Sequence, residues 1–139
     1  MGITLAQANE AMAEADLLYS ADDIANMLDV MAAEITAVLA DKNPLVLCIM
    51  NGGVITTGHL LTRLNFPLEQ DYLHATRYRG KTVGGKTLAW LRKPDANLAG
   101  RHVLLVDDIL DEGYTLREIV QWCREQNAAS VHVAALAEK

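Results

Sequence analysis

VLLVDDILDEGYTL, Val103–Leu116, holds three kinds of text in fourteen residues. An apolar run of strand length comes first. Three carboxylates, Asp107, Asp108 and Asp111, follow within five residues, and E-G-Y-T then runs into an amphipathic stretch, YTLREIVQWCREQN. A run with no polar alternation suits a strand buried on both faces, which is the habit of parallel sheets. Successive N–H groups around Gly113, the dipole of the following helix and the Thr115 hydroxyl together make a cradle for a monophosphate. Acids beside an anion site look contradictory unless the ligand carries both phosphate and hydroxyls. A phosphorylated sugar does: its phosphate takes the cradle, and its diol donates hydrogen bonds to the carboxylates.

Upstream, LVLCIM (Leu45–Met50) is a second continuous apolar run, and NGG (Asn51–Gly53) turns it into VITTGHLLTRL, a short helix ending before Pro67. Strand, glycine turn and helix again leave an anion site at the strand's carboxyl end. Before it, residues 3–18 can form a first helix. A second opens at Ser20, where S-A-D-D offers a hydroxyl cap with an acid three residues on. Ile24, Leu28, Met31, Ile35 and Val38 give this second helix one apolar stripe. LEQDYLHATRYR, with Tyr72, Leu73 and Ala75, reads as a strand, as does KTLAWLRKP, with Leu88, Trp90 and Arg92 in alternation. HVLLVD is a strand, DILDEG a loop, and Leu116, Ile119, Val120 and Cys123 mark one face of the helix after it. SVHVAALAEK begins as a further buried strand. Strand–helix alternation at both ends predicts an α/β fold, a parallel sheet flanked by helices, with a basic hairpin inserted in the middle.

The chain has 139 residues and suits one domain, 1–139, without repeat or linker. Its net charge of −6 argues against nucleic-acid binding, and no apolar run approaches the roughly 18 residues of a membrane span. The acidic, helix-like N-terminus is unlike a secretory leader. Cys48 and Cys123 lie in apolar runs without C-x-x-C spacing, which predicts two buried thiols in a cytoplasmic protein. His59, His74, His102 and His132 share no metal-ligand spacing, and Trp90 and Trp122 are expected to pack. Between Asp71 and Asp95 there is no acid, yet Arg77, Arg79, Lys81, Lys86, Arg92 and Lys93 all fall there, half of the chain's 12 Lys and Arg. That asymmetry predicts a flap, flexible over about 77–93, that meets a polyanion.

Two decoys need removing. GKTVGGKT, residues 80–87, satisfies the phosphate-loop pattern of nucleotide hydrolases at every required position. Such a loop must open a helix, and only TLAWLRK stands before Pro94. The alternation and the tryptophan favour a strand, and the space before Val103 is too short for a helical crossover. Phospho-acceptor domains also end a strand in two aspartates, but near their start, and here 31 residues remain after Asp108.

VLLVDDILDEGYTL resembles the phosphoribosyl pyrophosphate signature of type I phosphoribosyltransferases. LCIMNGG resembles the pyrophosphate turn of the hypoxanthine-guanine phosphoribosyltransferases, RYRGKTVGG their flexible catalytic loop, and SVHVAALAEK the strand ending at their purine-contacting lysine. The resemblance spans nearly the whole chain. It implies a three-layer, Rossmann-like core, magnesium, and transfer of phosphoribose from phosphoribosyl pyrophosphate to a 6-oxopurine, hypoxanthine or guanine, giving IMP or GMP in purine salvage. It further implies that Asp107 and Asp108 hold the ribose hydroxyls and take part in magnesium binding, and that Asp111 is the acid or base at N7 of the purine. Glu112, Gly113, Tyr114 and Thr115 then form the 5′-phosphate loop. Asn51 and Gly52 form the pyrophosphate turn, with a non-proline cis peptide; Tyr78 belongs to the flexible loop, and Lys139 reads the 6-oxo group. Relatives of this kind are homodimers or homotetramers.

Three positions depart from the family's habit. Asn51 replaces a common lysine, Arg77 a common serine, and Glu112 a common threonine, so the Glu112 side chain is expected to point away from phosphate. The family pattern continues for several dozen residues past the lysine, with a hood over the purine, whereas this sequence stops at Lys139. A chain cut short of its C-terminal hood is therefore expected. The competing reading is a module that holds phosphoribosyl pyrophosphate or a nucleotide phosphate without turning it over.

Overall fold

The computed structural model describes residues 4–6, 21–77, 88–110 and 114–138. The helix expected over residues 3–18, and the cap expected at Ser20, lie almost wholly outside them. In chain order the elements are α1 (Ala21–Leu39), β1 (Leu45–Ile49), α2 (Val54–Leu61), β2 (Glu69–Arg77), β3 (Leu88–Arg92), β4 (His102–Leu110), α3 (Tyr114–Glu125) and β5 (Ser130–Glu138). The five strands form one sheet in the order β3-β2-β1-β4-β5. β1 runs parallel to β2 and β4, β4 runs parallel to β5, and only β3 is antiparallel to its neighbour β2.

The two continuous apolar runs are the sheet's centre, and each strand serves two cores. Leu45, Leu47, Val103 and Leu105 pack on one face with Ile119 and Cys123 of α3. Val46, Leu104 and Val106 pack on the other with Leu28, Ile35 and Leu39 of α1 and Leu60 of α2. Burial on both faces explains why neither run alternates. The expected α/β three-layer arrangement is what is found.

Several local expectations are corrected. The buried stripe of α1 is Leu28, Ala32, Ile35 and Leu39, while Ile24 and Val38 are exposed. Two stripes at spacings of three and four were available one step apart around the helix. The one containing the small Ala32 faces the core. Tyr72 is exposed while Leu73 and Ala75 are buried, as strand alternation requires of adjacent residues. β4 does not end at Asp107: it continues to Leu110, because β5 runs beside it and pairs Ile109 with Ala137 and Leu110 with Glu138. Trp90 and Trp122 do pack, with ring centroids 4.7 Å apart.

Residues 88–92, at the far end of the expected flap, form a strand on the sheet's edge. This removes the phosphate-loop reading of GKTVGGKT, since the chain leaves that segment directly into β3 and not into a helix. Arg92 is also withdrawn from the set of charges meant for a polyanion. Its Nη2 lies 3.4 Å from Asp71 and 3.3 Å from Asp95, the two acids that bound the basic segment, and its guanidinium stacks 4.0 Å from the Tyr72 ring centroid. Arg79, Lys81 and Lys86 lie outside the described residues.

Asp71 anchors this corner. Its Oδ2 accepts the N–H groups of Asp95 (2.8 Å) and Ala96 (3.0 Å), and its Oδ1 accepts the Tyr72 N–H (2.8 Å). Burial pushes its proton affinity up, but the N–H groups of Ala96, Tyr72 and Asp95, with Arg92, more than offset this and hold the carboxyl below its ordinary range. A depressed folded value means that the stabilisation is complete above the unfolded value of 3.8 and is lost as pH falls through the folded one. Asp71→Ala leaves three N–H groups and a guanidinium short of an acceptor. It is expected to cost about 2 kcal/mol at pH 7, and urea unfolding at pH 7 and at pH 3 checks this, the difference between the two chains shrinking at the lower pH.

Candidate active site

β1 and β4 are neighbours, but their onward connections diverge. From β1 the chain crosses through α2 to β2, and from β4 it crosses through α3 to β5, on the other side and the other face. The crevice between β1 and β4 at their carboxyl ends is thus a topological switch point, where open α/β sheets bind ligands. The glycine turn and the acid pair both sit there.

After β1 the Met50–Asn51 peptide bond is cis, the form the resemblance implies for this turn. Asn51 and Gly52 are exposed and Gly53 is buried. The turn is tied down by Gly53 N–H to Ile49 O at 2.8 Å and by Met50 N–H to Leu73 O at 2.8 Å. Gly53 precedes α2, and Thr57 N–H donates to its carbonyl at 2.8 Å. The second glycine of NGG has a reason invisible in the sequence alone. A Cβ there would collide with the Val106 carbonyl oxygen of β4 and stand 2.8 Å from Ile49 O.

In the last part of β4, two residues short of its end, Asp107 and Asp108 are half-buried. The Asp108 N–H donates to Asp107 Oδ1 at 2.8 Å. Burial, together with the neighbouring Asp108 carboxylate, pushes the Asp107 carboxyl up to about 6. The structure brings this pair against the β1 turn: a Cβ placed on Gly52 would lie 2.7 Å from Asp108 Oδ1 and 3.0 Å from Asp107 Oδ1. Two motifs 55 residues apart in sequence are therefore brought so close that a methyl group does not fit between them.

α3 opens at Tyr114, and Thr115 is half-buried in its first turn. A helix of 12 residues thus begins just beyond the acid pair, with the N-terminus that favours anions on the site side. Asp111, Glu112 and Gly113 lie outside the described residues, as do Tyr78 and Lys139. β5, the strand before Lys139, reaches Glu138 opposite Leu110, at the same edge of the sheet as the acids. Cys48 and Cys123 are buried free thiols. Burial raises both, Cys123 to about 11, which makes them poor nucleophiles at neutral pH. Among the described residues no three His, Cys, Asp or Glu side chains are grouped to hold a metal, and no helix is long and apolar enough to cross a membrane.

With this geometry in place, the chain's relatives are informative. Residues 14–139 match the phosphoribosyl transferase domain family. The hypoxanthine-guanine-xanthine phosphoribosyltransferase of Tritrichomonas foetus is 37% identical over 124 residues, covering 88% of this chain and 67% of that protein. The hypoxanthine-guanine phosphoribosyltransferase of Streptococcus thermophilus is 31% identical, with 88% and 68% covered. Among solved structures, a hypoxanthine-guanine-xanthine phosphoribosyltransferase superposes with a TM-score of 0.77 at 33% identity, over 88% of this chain and 69% of that one. The Trypanosoma cruzi hypoxanthine phosphoribosyltransferase in complex with the product IMP gives 0.78 at 26% identity, with 88% and 70% covered. This chain spans about two thirds of the length of the curated relatives it matches.

Proposed function

The chain belongs to the phosphoribosyl transferase domain family, among hypoxanthine-guanine phosphoribosyltransferases, and from that premise we propose that it moves 5-phosphoribosyl from phosphoribosyl pyrophosphate to hypoxanthine or guanine. The observation that carries this reading is the closeness of the β1 turn to the acid pair at the switch point, with no room for a side chain between them. A sugar diol and a leaving group on the adjacent anomeric carbon need binding groups that close together.

In this reading Asp107 and Asp108 accept hydrogen bonds from the ribose hydroxyls. Glu112, Gly113, Tyr114 and Thr115 hold the 5′-phosphate at the head of α3, and the backbone of Asn51 and Gly52 meets the pyrophosphate. The bond from C1 to the pyrophosphate oxygen breaks and a bond to the purine nitrogen forms. Asp111 takes the proton that the purine gives up at N7. Tyr78 and the flap exclude water from a sugar that is gaining positive charge, and Lys139 reads the 6-oxo group. Asp107 and Asp108 fit magnesium: their oxygen donors suit a hard cation, and burial, with the neighbouring Asp108 carboxylate, raises the proton affinity of Asp107, a cost that a divalent charge would relieve. When bound there, magnesium supplies positive charge against the pyrophosphate leaving group. The protein is further read as a cytoplasmic homodimer or homotetramer.

Calorimetry with phosphoribosyl pyrophosphate and magnesium, followed by an assay for IMP and GMP, tests the reading. Binding with transfer supports it. Binding without transfer makes the chain a holding module, and the absence of both overturns the assignment of the site. Asp111→Asn is expected to cut transfer about 10²-fold while leaving cosubstrate affinity unchanged. Equal loss of both would take the proton-transfer role away from Asp111.

A further inference from the structure

We propose that Gly52 is a positioning residue for the acid pair: the absence of a side chain there holds the Asp107 and Asp108 carboxylates against the β1 turn. Sugar recognition and leaving-group recognition thereby become one unit. The inference rests on the transferase reading and assigns Gly52 a second role beyond lending its backbone to pyrophosphate.

The two adjacent glycines differ in what a methyl group would meet. At Gly53 the neighbours are backbone atoms, Val106 O of β4 and both Ile49 O and Ile49 N of β1, which the two central strands hold in place. At Gly52 the neighbours are Asp108 Oδ1 at 2.7 Å, Asp107 Oδ1 at 3.0 Å and Asp108 Cγ at 3.3 Å, all in carboxylate side chains. A side chain can rotate where a strand cannot. An alanine at 52 is therefore compatible with the fold and incompatible with the present position of the carboxylates, which must swing away from the turn. Gly52 is itself exposed, so the requirement for glycine does not come from core packing.

The ligand chemistry explains why that closeness matters. In a 1-pyrophosphoryl sugar the 2-hydroxyl is on the carbon next to the one bearing the leaving group. Acceptors for the diol and donors for the diphosphate must converge within a bond or two of one another. A side chain between them would separate the two halves of the site while leaving each half chemically complete.

The test is calorimetry with ribose 5-phosphate, which has the diol and 5′-phosphate but no pyrophosphate, in four chains: wild type, Gly52→Ala, Asp108→Ala and the double variant. Melting temperatures are recorded for each. Gly52→Ala is expected to melt within about 3 °C of wild type and to bind ribose 5-phosphate about 10-fold more weakly, the loss of one charge-assisted hydrogen bond. In the Asp108→Ala background, where the nearest oxygen is gone, adding Gly52→Ala is expected to change affinity less than about 2-fold. Unchanged ribose 5-phosphate affinity in Gly52→Ala overturns the proposal, as does an equal cost in both backgrounds. A Gly52→Ala chain that melts far below wild type overturns it too, because the obstacle would then be backbone. If wild type binds neither ribose 5-phosphate nor phosphoribosyl pyrophosphate with magnesium, the functional reading falls and this proposal falls with it.

Discussion

Asp107→Asn is expected to make the protein more heat-stable at pH 7.5 and about 10³-fold weaker in binding phosphoribosyl pyrophosphate with magnesium. The two effects share a cause. In the free protein the Asp107 carboxyl is pushed up to about 6 from an ordinary value of 3.8, first by burial and then by its neighbour Asp108. A carboxyl whose folded value is raised binds more protons in the native than in the unfolded state between these two pH values. Stability therefore falls as pH rises from about 4 to about 6, and the full penalty is present at neutral pH. Asparagine removes the charge but keeps an oxygen able to accept the Asp108 N–H now bound at 2.8 Å. At a half-exposed position solvent screens much of the penalty, so the gain is about 1 kcal/mol, or about 3 °C in melting temperature. The sign is checked by melting both chains from pH 4 to pH 8: the variant's advantage should be absent at the acid end and grow through pH 6. Binding moves the other way, because the diol and the cation lose a carboxylate that the fold holds ready at a cost in stability. Asparagine that destabilises at pH 7.5, or that leaves cosubstrate affinity intact, would show that Asp107 is an ordinary structural acid.

Much of the architecture was legible because the central strands carry their own signal. LVLCI and HVLLV lack polar alternation, which only burial on both faces permits, and each is followed by glycine and then helix. The false phosphate loop was legible for a similarly local reason: the stretch between Lys86 and Pro94 has no room for the helix that the chemistry demands. What could not be read depended on partners distant in sequence. The last residues of β4 are strand only because β5 lies alongside, 28 residues on. Arg92 belongs to Asp71 only because the β2–β3 hairpin folds back across 21 residues. Counted along the sequence, Arg92 was one more charge in a basic flap. In the fold it is neutralised before any ligand arrives. For the site, the sequence names the acid pair and the glycine turn separately, but their contact follows from β1 and β4 being neighbours, a fact of sheet order and not of either motif.

Gly53→Ala tests that adjacency most severely. Its backbone conformation, φ −80° and ψ −4°, is one that any L-residue adopts, so no conformational objection to alanine exists. The objection is space. The new methyl group would collide with the Val106 carbonyl, stand 2.8 Å from Ile49 O and 3.2 Å from Ile49 N, and so press on both central strands at once. None of the three atoms can yield without displacing β1 or β4, and both central strands serve the cores on the two faces of the sheet. The expected loss is about 4 kcal/mol or more, a fall in melting temperature of at least about 12 °C. Gly58, five residues on in α2, is the control, since nothing lies within 4 Å of a Cβ built there. Gly58→Ala should instead stabilise by about 0.5–1 kcal/mol, because a helix interior prefers alanine. Thermal melts of the two single variants give opposite signs if the turn after β1 is wedged against β4. A Gly53→Ala chain that melts like wild type would mean that the gap between the β1 turn and the Val106 carbonyl of β4 is wide enough for a methyl group.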